Sequence, residues 1–396
     1  MTAPASAKSQ GRQHDDEFHD DIIYPATIPF VLIHLAALAA IWTGVTVEAL
    51  VICVALYWIR MFAVTAGYHR YFSHKSFKTS RVGQFVLAFV AQSSAQRGAI
   101  WWASKHRHHH KYSDLANDVH SPRHRGFLYA HVGWIFVPQH GKTDLKTVPD
   151  LAKFPELVWL NKHQYFPAAL LGAAVLLVAG LPGLVVGFVW STVLLYHGTF
   201  FINSLAHVHG NQRYVTGDDS RNNWWLALIT LGEGWHNNHH AYMASTRQGF
   251  RWWEVDGTYY ILKLLSWTRV VTDLIEPPAS LVRNEKKLGR GLVDKVARQL
   301  AASVPVENIC EHVREMWDHA PSWQELRKRA QTAQSDAMVL LADMHLPHMP
   351  SSEELRERAR QMFASSPSMD DIVQRAREMI LEKVATELRL TASASA

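Results

Sequence analysis

Cysteine is almost missing from this 396-residue chain: Cys53 and Cys310 are the only two, and they lie far apart. Their scarcity excludes a disulfide framework and a thiolate metal site, so any bound metal must be held by His, Asp or Glu. Charge is scarce in a different way. Up to about residue 280 long apolar runs almost lack it, whereas the last 115 or so residues are rich in Arg, Glu, Lys and Gln. No apolar segment with a small-residue cleavage site follows the initiator Met, so residues 1–24 are expected to form a polar cytoplasmic tail rather than a signal peptide. A net charge of +5 is modest for this length and gives no case for nucleic acid. Haem, iron–sulfur and nucleotide signatures are absent from the C-terminal part, which argues against a fused electron-transfer domain there.

What the chain has instead is apolar runs in pairs. Stretches at about 26–45, 47–67, 166–179 and 184–203 approach the ~20 residues that cross a bilayer as a helix. The tips between them, near Thr46–Glu48 and at Gly180-Leu181-Pro182-Gly183, are short enough to force hairpins and carry no Lys or Arg. Residues 68–165 carry fourteen. That asymmetry predicts that the middle segment and both termini face the cytoplasm. Arg60 is expected near the cytoplasmic end of its span, snorkelling or paired with a carboxylate. Val82 to Ala95, broken by Gln84, Gln92, Ser93 and Ser94, reads as an interfacial or re-entrant helix. Trp252, Trp253, Tyr259, Tyr260 and Trp267 suit a membrane interface.

Residues 281–396 read as a separate, charged helical extension. Capping-box spacing occurs at Ser322 to Glu325 and Ser351 to Glu354, with a weaker version from Ser368 to Asp371. The expected fold is therefore all-α. Four transmembrane helices within residues 25–280 carry a His-rich helical cap on the cytosolic side, and the extension follows.

Histidine is abundant, at 24 residues, and clustered. One group is His69 and His74, a second runs from His106 to His110, and a third is His236, His239 and His240. Residues three and four apart share a helix face, so each HxxHH triplet can aim two or three imidazoles at one point. His69 and His74, five apart, would lie about 140° apart on an ideal helix unless a helix end aligns them. His108 and His209, each two residues from a stronger candidate, should point elsewhere. Eight candidates exceed what one four-coordinate ion uses, so two ions are the simplest accounting. Imidazole suits Fe, Zn, Cu or Ni rather than Mg or Ca. His207 lies one turn after Asn203, which suggests a ninth ligand and a water-holding amide. Asp114, Asp118, His120, His131 and Glu233 are candidates to fix the tautomer of ligand imidazoles.

The segments His69-Arg70-Tyr71-Phe72-Ser73-His74, His106-Arg107-His108-His109-His110 and His236-Asn237-Asn238-His239-His240, with Asn203-Ser204-Leu205-Ala206-His207 before the last, closely resemble the boxes of integral-membrane acyl-CoA desaturases of the stearoyl-CoA Δ9 type, in their bacterial form. The likeness extends to Thr65-Ala66-Gly67, His131-Val132-Gly133-Trp134 and Gly232-Glu233-Gly234, and covers about residues 27 to 278. It implies a di-iron centre under a cytosolic cap in a bacterial inner membrane, and an acyl chain in a bent hydrophobic tunnel beneath the metals. Carried over position by position, the iron ligands would be His69, His74, His106, His109, His110, His207, His236, His239 and His240, with Asn203 reaching one iron through water. Animal members carry an Arg and an Asp just before the second box, where this chain has Ser104 and Lys105. Headgroup contacts are therefore not transferable.

The implied reaction is O2-dependent insertion of a cis double bond, Δ9 in the nearest analogy, into a long-chain saturated acyl-CoA. Electrons would come from a separate ferredoxin, rubredoxin, or cytochrome with its reductase. The basic residues Lys105, Arg107, Lys111, Arg123 and Arg125 are expected to steer that acidic partner or the CoA phosphates. Two alternatives share the features: a di-iron alkane or fatty acid hydroxylase, and a His-rich metal transporter. Against the transporter, the apolar spans carry almost no ligands of their own.

Overall fold

The computed structural model describes residues 28–319, 324 and 346–388. The polar tail 1–24 and the capping-box motif at Ser322 to Glu325 fall outside them, apart from Gln324. The described chain is mostly helical, with one two-stranded antiparallel ladder in which Lys78 faces Thr272 and Thr79 faces Val271.

Two stretches are long and apolar enough to cross a membrane, Val47–Ser73 and Phe166–His207, and the apolar helix Ile28–Thr43 is shorter. The first stretch starts where Thr46 caps the amide of Ala49 at 3.1 Å. The helix does not stop where the apolar run ends at Gly67: it continues unbroken as a π-helix, Ala63–Ser73, and so carries His69 inside it. The second stretch is not straight. Gly180 takes φ 63° and ψ −162°, a conformation open to glycine, and beyond it the chain reverses. Gly172 then lies against Phe188, and Gly183 against Val175. Sixteen residues of straight helix would separate the first pair by about 24 Å, so this contact requires a hairpin.

Arg60 corrects a sequence expectation. It is buried, and its guanidinium donates to the hydroxyls of Thr192 at 2.7 Å and Ser191 at 2.5 Å and to the carbonyls of Leu56 and Ser93. Hydroxyls and carbonyls, not a carboxylate, satisfy its donors. The outward faces are apolar: Ile41, Trp42, Val47, Leu177 and Val178 are each more than three-quarters exposed.

The helix Arg81–Gln92 packs on the π-helix, with Gly67 close to Leu87 and Ala91. The helix Ala99–Tyr112 joins the same core through Ile100 and Ala103, beside Tyr68 and Phe72. Residues Arg290–Ala302, Val306–His319, Ser352–Met362 and Met369–Glu387 form a helical unit with its own apolar core, into which Val215 inserts from the earlier part of the chain. At Ser351 the capping box is complete: the hydroxyl accepts from the Glu354 amide and the Glu354 carboxylate from the Ser351 amide. At Ser368 it is not, because that hydroxyl accepts from the amide of Leu288 instead.

Candidate metal centre

The nine histidines expected from the boxes converge in two groups. His69, His74, His106, His110 and His239 form one, and His109, His207, His236 and His240 the other; within each group the candidate ligand atoms all lie within 4.8 Å of one another. In the first group the Nε2 atoms run in a chain, His69 to His239 at 3.0 Å, His239 to His110 at 3.0 Å, His110 to His106 at 3.0 Å and His106 to His74 at 2.8 Å. In the second, the Nε2 atoms of His207 and His236 are 3.0 Å apart.

The HxxHH triplets do not each serve one point. His106 and His110, one turn apart, face the first group while His109 faces the second. His236 and His240 face the second group while His239 crosses to the first. Each short motif therefore bridges the two centres, because i,i+4 residues stack on one face and the i+3 residue lies off it.

His69 and His74 meet because the helix between them is widened. The amide of His74 donates to the carbonyl of His69 at 3.2 Å, an i→i+5 bond, and the Ser73 hydroxyl donates to the carbonyl of Tyr68. Their ring centroids are 4.9 Å apart.

Carboxylates hold four of the nine rings. The Nδ1 of His207 donates to Asp114 at 2.8 Å, that of His109 to Asp118 at 2.9 Å, that of His240 to Asp218 at 2.8 Å, and that of His69 to Glu233. This fixes Nε2 as the outward-facing nitrogen of each ring. Glu233 is anchored in turn by Arg70, which also pairs with Asp256 and donates to the carbonyl of Thr246. Gly232, at φ 119°, lets the chain pass so close that a Cβ there would lie 2.5 Å from the Asp256 carboxylate.

Two candidates for this orienting role accept no hydrogen bond from a ligand ring, although His120 shares a third cluster of possible ligand atoms with His109 and Asp118, all within 4.8 Å of one another. His131 lies in a separate hydrogen-bond network, with Nδ1 at 3.0 Å from the Ser204 hydroxyl and Nε2 at 2.9 Å from His197 Nδ1. His120 lies against His109 with ring centroids 4.3 Å apart and the planes tilted by 31°, and its Nδ1 has no partner among the described residues. Asp218, Arg70 and Asp256 were missed. Asp218 has no spacing relation to any box, and Arg70 lies inside one with a side chain that is no metal ligand.

The electrostatics suit a cation. Burial first, then the neighbouring imidazoles, push His74, His106, His110, His236 and His239 well below the ordinary imidazole pKa, so all five are neutral donors. Burial opposes charge on Asp114 and Asp118, but the facing imidazoles of His207 and His109 outweigh it and keep both carboxylates ionised. The Nε2 of His240 is buried without a hydrogen-bond partner among the described residues, an orphan that a metal would satisfy. Metal–imidazole bonds of roughly 2.0–2.1 Å, the range known for zinc, set about 90° apart separate two nitrogens by about 3 Å. The donor set therefore fits two metal ions.

A cavity opens beside the first group. It is lined by His106, Asn203, Trp101, Phe30, Lys105 and Arg97 among others. Lys105 thus lies at a cavity wall, while Lys111 and Arg125 are exposed and lie over the rings of Tyr112 and Tyr129. Arg107 and Arg123 do not form an open basic face. Arg107 pairs with Asp150 and donates to the carbonyls of Phe72, Ser73 and Thr147, and Arg123 pairs with Asp219. His108 contacts the carbonyl of Asn117, away from both groups.

Residues 46–264 match the family model for fatty acid desaturases. The chain is 39% identical over 236 residues to the acyl-CoA C20 Delta5-desaturase of Anemone leveillei, covering 57% of this chain and 73% of that protein. It is 36% identical over 251 residues to the sn-1 stearoyl-lipid 9-desaturase of Anabaena variabilis, covering 63% of this chain and 92% of that protein. The palmitoyl-monogalactosyldiacylglycerol delta-7 desaturase of Arabidopsis thaliana is 37% identical over 222 residues, 55% of this chain and 59% of the relative. These relatives differ in acyl carrier and in double-bond position.

Proposed function

The chain belongs to the fatty acid desaturase family, and from that premise we propose that it is a di-iron acyl-CoA desaturase that places a cis double bond at Δ9 of a long-chain saturated acyl group. The observation that carries this reading is the split of the nine histidines into five and four. Structural zinc is almost always four-coordinate, so a five-imidazole set argues against it, and among the other metals that imidazole suits we assign iron, as the resemblance of the three boxes implies. Two irons held there would supply the reduction of O2 and the removal of two hydrogens from unactivated methylenes.

The chain's own residues do the rest. Glu233, Asp114, Asp118 and Asp218 hold the rings, and the apolar wall of Phe30, Trp101 and Phe200 takes the acyl chain and keeps water from the metals. Lys105 and Arg97, on the same cavity, are placed to meet the phosphates of CoA. Asn203 lines that cavity and is the residue we assign to reach one iron through a water.

Removing two hydrogens yields two electrons, while reducing O2 to two waters needs four. Two electrons and two protons must therefore come from outside, and we assign them to a separate ferredoxin, rubredoxin, or cytochrome with its reductase. For placement we infer four membrane crossings in a bacterial inner membrane, with the centre on the cytoplasmic side. The hairpin at Gly180 and the exposed apolar faces support this count, since such surface is costly in water and not in lipid.

The experiment is product analysis with double-bond location, on purified protein with an electron donor, given stearoyl-CoA, stearoyl carrier protein or stearoyl phospholipid. A Δ9 monoene from the CoA ester supports the proposal. A monoene only from the phospholipid would move the substrate to the acyl-lipid class of the Anabaena relative. Hydroxy acids without monoenes would contradict desaturation altogether.

A further inference from the structure

The family match stops at residue 264, yet the helical unit beyond residue 290 touches the loops that carry the aspartates orienting the ligand rings. Three of the four rings in the four-His group depend on two loops. In the first, Asp114 takes His207, and Asp118 takes His109 and also accepts from the amide of Asp114 at 2.9 Å. In the second, Asp218 takes His240. The loops are joined to each other: the amide of Asp219 donates to the carboxylate of Asp114 at 2.8 Å. One connected network therefore orients His109, His207 and His240.

The helix Arg290–Ala302 lies across both loops, one residue before each key aspartate. Gln299 Nε2 donates to the carbonyl of Gly217 at 3.0 Å, and Lys295 Nζ to the carbonyl of Ser113 at 3.2 Å. Gly217, at φ 72°, lies so close that a Cβ there would stand 3.0 Å from Leu292 and 3.1 Å from the Lys295 side chain. Two residues earlier, Val215 is buried in the core of the C-terminal unit among Val296, Leu300 and their neighbours. Among the described residues the five-His group has no such hydrogen bond from the helix Arg290–Ala302: the anchor of His69 is Glu233 and Arg70, within the family region.

We propose that the C-terminal helical unit is a positioning element for the four-His metal centre, acting through Gln299 and Lys295 on the loops that carry Asp218 and Asp114. The inference rests on the two-metal reading above. Carbonyls pinned from the solvent side keep each aspartate at the distance its imidazole needs, and a ligand ring held in place binds metal more tightly than one free to turn. The two centres should then differ in their dependence on the extension: the four-His centre loosens when it is disturbed, and the five-His centre does not.

The test uses the full-length protein loaded with iron and read by metal analysis and Mössbauer spectroscopy. Gln299→Leu combined with Lys295→Leu should lower iron affinity at one centre by about tenfold, the lower end of what disturbed ligand support costs, and weaken one of two ferrous signals selectively. Gln299→Glu, which sets a negative charge against the Gly217 carbonyl without touching the apolar core, should do the same. Lys295→Arg, which keeps a donor, should retain both irons. Arg375→Ala, which breaks the ion pairs to Asp294 and Glu378 within the unit, should leave both signals intact. Two irons with an unchanged spectrum in both disruptive variants would overturn the proposal. So would equal loss of both signals, which would mean general loosening. A wild-type chain that binds no iron would instead remove the metal reading itself.

Discussion

At the scale of single residues, the nine imidazoles divide their work by nitrogen. His239 faces the five-His group through Nε2, which lies 3.0 Å from both His69 and His110. His239→Ala should abolish desaturation and release one iron while the protein stays in the membrane; full activity in that variant would refute the assignment. Asp218→Asn keeps the shape but removes the charge that holds His240. Iron affinity at the four-His centre should fall about 10–100-fold, seen as loss of one metal per chain on dialysis. The pH dependence follows from the neutral rings. His74, His106, His110, His236 and His239 are pushed below the ordinary pKa by burial, so in acid the unfolded chain binds protons that the folded chain does not. Stability then rises with pH through that window and falls as the pH drops below about 6.5. The metal-free protein should lose thermal stability between pH 7 and 5, measured by scanning calorimetry, and the iron-loaded protein should lose at least as much, because bound metal keeps the same rings unprotonated. Much at this scale was legible: spacing alone pointed to eight of these histidines. Asp218 was not, because the contact of an aspartate with a ring 22 residues later leaves no periodic trace.

At the scale of elements, spacing misleads where the helix is not an α-helix. His69 and His74 look poorly aligned at 3.6 residues per turn, and only the π-helix Ala63–Ser73 brings them together. The helix His236–Ala241 is six residues long, too short to hold itself. Its two asparagines are its fastenings. Asn237 accepts from the amides of Arg213 and Tyr214 at 2.8 Å, and Asn238 donates to Glu254 and to the carbonyl of Gln248 at 2.9 Å. Both are fully buried. Asn238→Ala would strand buried partners and should cost about 1–3 kcal/mol, visible as a lower unfolding temperature. Because this helix feeds both groups, iron should be lost from both centres.

At the scale of the whole molecule, the chain is a set of apolar hairpins carrying a polar, His-lined cap, with a helical unit seated on its loops. The apolar runs were plain in the sequence. Where they turn and how far they extend were set by one glycine conformation at Gly180 and by a helix that runs past Gly67. Both native cysteines are buried, which leaves the surface open to thiol mapping. Val45→Cys, at the tip after Gly44, should react with a membrane-impermeant reagent from outside the cell, and Lys142→Cys only after permeabilisation. The reverse pattern would invert the topology.

The central claim is that five and four histidines hold two irons in unlike settings. Its most direct test is metal analysis with Mössbauer spectroscopy on the purified wild-type protein. The account predicts two irons per chain and two distinct ferrous signals of equal weight; a single metal per chain, zinc in place of iron, or one ferrous environment would contradict it.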